Sequence, residues 1–126
     1  MDIIVDTPIF LWSLSEPSRL TEQQRVELET PVNTIWLSSV SVTEIMIKSS
    51  LGKLSFDFDL LEAARASGYE LLEYSAEDAL PLKDLPFHHK DPFDRMIISQ
   101  AMVRGYPVMS NDLQFSRYPC KLLPGD

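Results

Sequence analysis

One stretch constrains this chain more than any other: His88-His89-Lys90-Asp91-Pro92-Phe93-Asp94-Arg95, continuing into Met96-Ile97-Ile98-Ser99-Gln100-Ala101. It reads as a loop that turns sharply into a helix running to about Arg104, with Gly105 as its stop. Pro92 suits the first helical position, because its fixed φ is helical and its missing N–H would be unpaired there anyway. Asp91 suits the N-cap. Asp94, three residues on, lies one turn from it. Met96, Ile97, Ile98, Ala101, Met102 and Val103 give the helix a broad apolar surface, so it belongs to a core. Two carboxylates therefore sit at the mouth of a buried helix. Capping and a favourable helix dipole account for them as well as chemistry does at this point.

The rest of the chain alternates strands with helices. Ile3-Ile4-Val5 is a continuous β-branched run, the pattern of a central parallel strand buried on both faces. It ends at Asp6, and Thr7-Pro8 reads as cap and first residue of a helix through Trp12. Thr21 to Gln24 has capping-box spacing and starts a polar helix. Thr34 to Ser38 is the second strand. Ser41-Val42-Thr43-Glu44 is a second capping box, expected to open a helix to Gly52, in which Glu44 could serve the backbone of Ser41. Leu54-Ser55-Phe56 reads as a short extended piece. A helix from Leu60 to Ala66, a strand from Tyr69 to Tyr74, and a short helix capped at Ser75 follow. Pro107 to Ser110 is a strand end, Leu113 to Phe115 one helical turn, Cys120 to Leu123 a last strand, and positions 124–126 a tail. Such alternation predicts a three-layer α/β domain, a parallel sheet of about five strands flanked by helices.

Composition narrows the function. The 126 residues suit one domain, 1–126. Lys and Arg number 11 against 19 Asp and Glu, a net charge of −8, which argues against a broad basic surface for nucleic acid. Nucleic acid remains open if carboxylates hold divalent cations, since bound ions reverse the local charge. Cys120 is the only cysteine, so neither an intrachain disulfide nor a cysteine zinc site is expected. Asp2 and Asp6 flank the short apolar run at the N-terminus, a pattern unlike a signal peptide or a membrane span. The expected location is the cytoplasm, without membrane contact.

Asp6, Glu44, Asp94 and Asp112 share one context: each follows a strand or opens a helix. In a parallel sheet these places gather on one edge, where ligands bind. Crowded carboxylates raise one another's pKa unless a cation shares them. All-oxygen ligation suits Mg²⁺ or Mn²⁺, and the chemistry that uses such a cluster is phosphoryl transfer.

Four stretches now carry a resemblance: Ile3-Ile4-Val5-Asp6-Thr7 with Leu11-Trp12; Ser39 to Ile45 with Lys48 and Leu51-Gly52-Lys53-Leu54; His89 to Arg95; and Val108-Met109-Ser110-Asn111-Asp112. In this order they resemble PIN-domain ribonucleases, and more closely the VapC-type toxins of toxin–antitoxin pairs. The resemblance implies catalytic, metal-binding acids at Asp6, Glu44, Asp94 and Asp112, with Asp91 auxiliary. It implies a Mg²⁺- or Mn²⁺-dependent endoribonuclease that takes RNA as substrate, forms a homodimer and is silenced by a cognate antitoxin. Pro8 departs from the family's usual His, and Ser110 from its usual Thr, though Ser110 keeps a hydroxyl.

Lys48 and Arg95 read as RNA-phosphate contacts or as holders of an acid; solvated helix positions explain them equally. His88 and His89 read as a solvated loop pair, though neutral His is a competent ligand. Cys120, Phe10, Trp12, Trp36 and Phe115 are expected in the core. Two other functions compete. A phospho-receiver domain shares length, element order and an acidic Mg²⁺ site, but needs an Asp where this chain offers Glu44. A PIN fold that binds a partner without cleaving is the other.

Overall fold

The computed structural model describes residues 1–123; the tail read at 124–126 lies outside the described residues. Five strands form one sheet: β1 (Asp2–Val5), β2 (Thr34–Ser38), β3 (Tyr69–Leu72), β4 (Val108–Met109) and β5 (Leu122–Leu123). Their order is β3-β2-β1-β4-β5, and every pairing is parallel, as the alternation of elements predicts. Six helices accompany it: α1 (Thr7–Ser15), α2 (Glu22–Glu29), α3 (Ser39–Ser50), α4 (Leu60–Ala66), α5 (Ala76–Ala79) and α6 (Pro92–Arg104).

The sheet divides two cores, because successive side chains of a strand point to opposite faces. Ile3 and Val5 pack with Ile9, Phe10, Ile35, Leu37 and Ile45 on one side. Ile4 packs with Val40, Ile97, Ile98, Val108 and Phe115 on the other. β1 is thus apolar on both faces because both are covered. Each such side chain contributes about 1.5–3 kcal/mol when fully buried, so β1 and α6 act as a firm base for whatever their ends carry.

Connections run from β1 outward to β2 and β3, then back across to β4 on the other side of β1. The crevice beyond the carboxyl ends of β1 and β4 is therefore a topological switch point. Asp6 follows β1 and Ser110 follows β4. Helix α6 reaches this edge because its far end is tied down. Asp78, fully buried, accepts from the Ser75 N–H at 2.9 Å, Gln100 Nε2 at 3.0 Å and Arg104 Nε at 3.1 Å. Gly105 ends α6 in the left-handed conformation, φ 72°, its N–H bonding to Ala101 O.

Several local expectations need correction. The cap of α1 is Asp6, not Thr7: Asp6 Oδ1 accepts the Ile9 N–H at 3.0 Å. Helix α3 begins at Ser39 under a Ser38 cap, so Ser41 and Glu44 lie inside it and form no capping box. Ser38 suffices because its Oγ accepts the Val40 N–H directly from the strand end. Residues 54–56 join no strand. Strand β3 stops at Leu72, and the Tyr74 N–H turns instead to Ser39 Oγ at 3.0 Å.

Candidate active site

The cap on α1 places Asp6 at the switch point, 3% exposed. Its Oδ2 accepts the hydroxyl of fully buried Ser110. Burial pushes the Asp6 carboxyl up to about 6, with the charges of Asp112 and Glu44 adding; Ser110 and the Ile9 N–H oppose the rise.

Glu44 is 5% exposed and belongs to the second turn of α3. Because α3 starts early, Glu44 faces α1 rather than its own helix end. Its Oε1 is 2.7 Å from Thr7 Oγ1, which also lies 2.9 Å from Ser41 Oγ. Thr7 has one hydroxyl proton, and the charged acceptor takes it; Ser41 then supplies the proton of the other contact. Glu44 Oε2 accepts from Lys48 Nζ at 2.6 Å. That bond raises the Lys48 pKa, and the charges of Asp91 and Asp94 add to it, so the ammonium stands at the mouth of the acidic cluster.

Asp91 caps α6, its Oδ1 accepting from the Phe93 N–H at 2.8 Å and the Asp94 N–H at 3.2 Å. Asp94 lies in the first turn with 16% of its side chain exposed. Its carboxyl is raised to about 7, first by burial, then by Asp91 and Asp6; the nearby His89 edge opposes. Asp112 follows β4 and caps the turn 113–117 through the Gln114 N–H, 3.0 Å from its Oδ1. At 39% side-chain exposure it is the most open of the four acids.

His89, which reads from sequence as one of a solvated loop pair or a competent ligand, lies among the acids. Its Nε2 lies 2.9 Å from Asp94 Oδ2 and 2.9 Å from Asp112 Oδ2. These three side chains could together hold a metal ion. Asp6 and Glu44 flank that group and interact with Asp94 through their charges. The one local signal for His89 was its position two residues before the cap. His88, by contrast, is exposed and sits edge-on to Tyr118.

Arg95 departs from its expected role. It is 6% exposed, and its guanidinium donates to Leu85 O at 3.0 Å, Pro86 O at 2.9 Å and His89 O at 3.3 Å. A guanidinium spent on three backbone carbonyls of one loop is turned away from phosphate and from the acids; it fixes the loop before α6. Phe10 and Phe115 are in the core as expected, while Trp12 and Trp36 are half-buried at its margin.

The donor set suits a hard divalent cation. Carboxylates whose pKa burial raises carry charge that the protein itself only partly offsets. An α/β sheet with its acids at the switch point defines the class. Residues 3–120 match the PIN domain, and the chain belongs to that family, whose members are generally nucleases. The receiver alternative falls with that membership. The chain matches no curated protein.

Solved structures share the fold. VapBC2 from Rickettsia felis, bound to a DNA fragment from its promoter, superposes with a TM-score of 0.77 at 20% identity, covering 100% of both chains. DNA-bound VapBC from Salmonella typhimurium gives 0.67 at 20%, covering 100% of this chain and 99% of that one. VapBC-1 from nontypeable Haemophilus influenzae gives 0.63 at 14%, covering 98% of each. No helix among the described residues is long and apolar enough to cross a membrane.

Proposed function

We propose that this chain is a VapC-type toxin, a Mg²⁺-dependent endoribonuclease whose acids Asp6, Glu44, Asp94 and Asp112 hold the metal, with Asp91 in support. The observation that carries the proposal is the pair of acids at the switch point, buried Asp6 raised to about 6 and partly buried Asp94 to about 7, in a PIN-family chain. A divalent cation bound there supplies a water of lowered pKa and neutralises charge that builds on the phosphate.

The chain's own groups do the rest. Ser110 and the Ile9 N–H orient Asp6; Thr7 and Lys48 orient Glu44. Lys48, half-exposed, serves as the cation that meets incoming RNA phosphate once Glu44 turns to other partners. With water as nucleophile, the phosphate stays on the 5′ side and the 3′ oxygen leaves as a hydroxyl. A metal-free route would need two imidazoles on opposite sides of the phosphate. His88 sits edge-on to Tyr118 and His89 faces two carboxylates, so they form no such pair.

Purified protein incubated with total RNA tests the reading. Cleavage that needs Mg²⁺, stops with chelator and leaves 5′-phosphates is expected. Asp94→Asn should lower the rate at least about a hundredfold, the scale for losing a key electrostatic stabiliser. Full cleavage in chelator, or cyclic-phosphate ends, would defeat it.

The partner follows from the same edge. A basic antitoxin segment, laid near the acids with an Arg or Lys among them, suits a chain of net charge −8. The trough beside Glu44 offers apolar side chains from Pro8, Leu11, Trp12, Ile45 and Leu54, with Lys48 and Lys53 also in its lining. The VapBC complexes with this fold support a protein partner. The toxin itself is expected to be a homodimer, which sedimentation of the purified chain checks.

A further inference from the structure

The loop 85–91 is built to hold one imidazole in one orientation. The His89 N–H donates to Tyr118 Oη at 2.7 Å, and that hydroxyl donates on to Pro86 O at 2.7 Å. Buried Arg95 draws in the carbonyls of Leu85, Pro86 and His89. The His89 ring then meets Phe115 edge-on, centroids 6.0 Å apart at 80°, and keeps 14% exposure.

The ring's two nitrogens are distinguished by their partners. The Asp91 N–H lies 3.2 Å from Nδ1. A backbone N–H can only donate, so Nδ1 accepts and the ring proton is on Nε2. That N–H bonds to Asp112 Oδ2 at 2.9 Å and stands equally close to Asp94 Oδ2. The two acids come from different elements, the start of α6 and the turn after β4. Ligation by Nε2 would require its proton to move to Nδ1, against the Asp91 N–H.

We propose that His89 is a positioning residue of the acidic site rather than a ligand: its Nε2–H clamps Asp112 against Asp94, and the Asp91 backbone N–H fixes the tautomer that does so. The inference rests on the nuclease reading for its purpose, but its geometry is independent of cleavage. Asp91 thus acts twice, through its side chain as cap of α6 and through its backbone as keeper of His89. A partner that holds a ligating carboxylate in place typically changes metal affinity ten- to a hundredfold when lost.

Two measurements test it on the full chain. Titration with Mn²⁺ alone, followed by calorimetry, compares His89→Ala with His89→Gln. Gln reaches the Nε2 position with an N–H but offers no imidazole nitrogen. A clamp predicts affinity down about ten- to a hundredfold in His89→Ala and within about threefold of the parent in His89→Gln. Equal loss in both variants would make the ring a ligand, and no loss in His89→Ala would make it a bystander; either overturns the proposal. The imidazole ¹⁵N spectrum of the metal-free parent should place the proton on Nε2, and a proton on Nδ1 overturns it whatever the metal does. A parent that binds no Mn²⁺ would sink the nuclease reading and the clamp's purpose, while the spectrum would still decide the tautomer.

Discussion

Ser110 illustrates how much one hydroxyl can carry. It accepts the Asp112 N–H at 2.9 Å and donates to Asp6 Oδ2, so it couples the turn after β4 to the acid after β1. The resemblance read from the sequence expects Thr here, and the structure uses what Ser and Thr share, a hydroxyl. Ser110→Ala removes a donor from a carboxylate that is 3% exposed, and a buried acceptor left short costs about 1–3 kcal/mol. The Asp6 pKa should rise further, because Ser110 is what chiefly opposes the effect of burial. Cleavage is expected to fall about ten- to a hundredfold, as for other partners that orient a ligand, with its pH profile displaced upward. Ser110→Thr should keep most activity. Single-turnover cleavage across pH checks both; an unaltered profile in Ser110→Ala would reduce Ser110 to filling space.

At the scale of elements, the first turn of α6 separates two acids that look alike in sequence. Asp91 spends Oδ1 on the Phe93 and Asp94 N–H groups, whereas Asp94 points into the cluster. Asp91→Asn should therefore be mild, since Asn caps as well as Asp; Asp91→Ala should cost about 1 kcal/mol of stability. Urea unfolding of the two variants measures this, and equal losses would show that the charge rather than the cap is what α6 needs. Asp94→Asn should behave in the opposite sense. It removes a charge that the metal-free fold holds at a cost, so the melting temperature should rise by about 3 °C or more, roughly 1 kcal/mol for a domain of this size. Activity and stability would then move in opposite directions at one residue, which differential scanning calorimetry beside the cleavage assay can show.

Across the whole molecule, the acidic edge makes metal-free stability depend on pH. Asp6 and Asp94 both titrate higher in the fold than their ordinary value of 3.8. The fold therefore binds their protons more tightly than the unfolded chain does. Their contribution is complete below that ordinary value, and is lost as pH rises through about 6 for Asp6 and about 7 for Asp94. Melting of metal-free protein should thus weaken across this window, and added Mg²⁺ should restore it above the window by binding only the fold. A flat pH dependence would mean that Lys48 already neutralises the edge. On the proposed reading the same charges recruit the partner. A cognate antitoxin should bind far less well to a chain in which Asp6, Glu44 and Asp94 are all changed to their amides; binding of equal strength, measured by calorimetry, would place the inhibitory contact elsewhere.

What the sequence determined by itself is local or periodic. The β-branched run at Ile3-Ile4-Val5, the Asp91-Pro92 start of α6, the caps at Thr21 and Ser75 and the Gly105 stop all act within about four residues, where helix and strand geometry decide partners. The parallel alternation then led Asp6, Asp94 and Asp112 to one edge, because strand ends and helix starts gather there, whereas Glu44 reaches it from the second turn of α3. The tertiary structure alone decided the rest. Ser110 meets Asp6 across 104 positions, Thr7 meets Glu44 across 37, and His89 meets Asp112 across 23. Local spacing could not tell His88 from His89, nor reveal that Arg95 turns inward to carbonyls instead of outward to solvent. Those choices follow from which buried polar groups still lacked a partner once the sheet had closed over its two cores, and that depends on chain segments brought together only by folding.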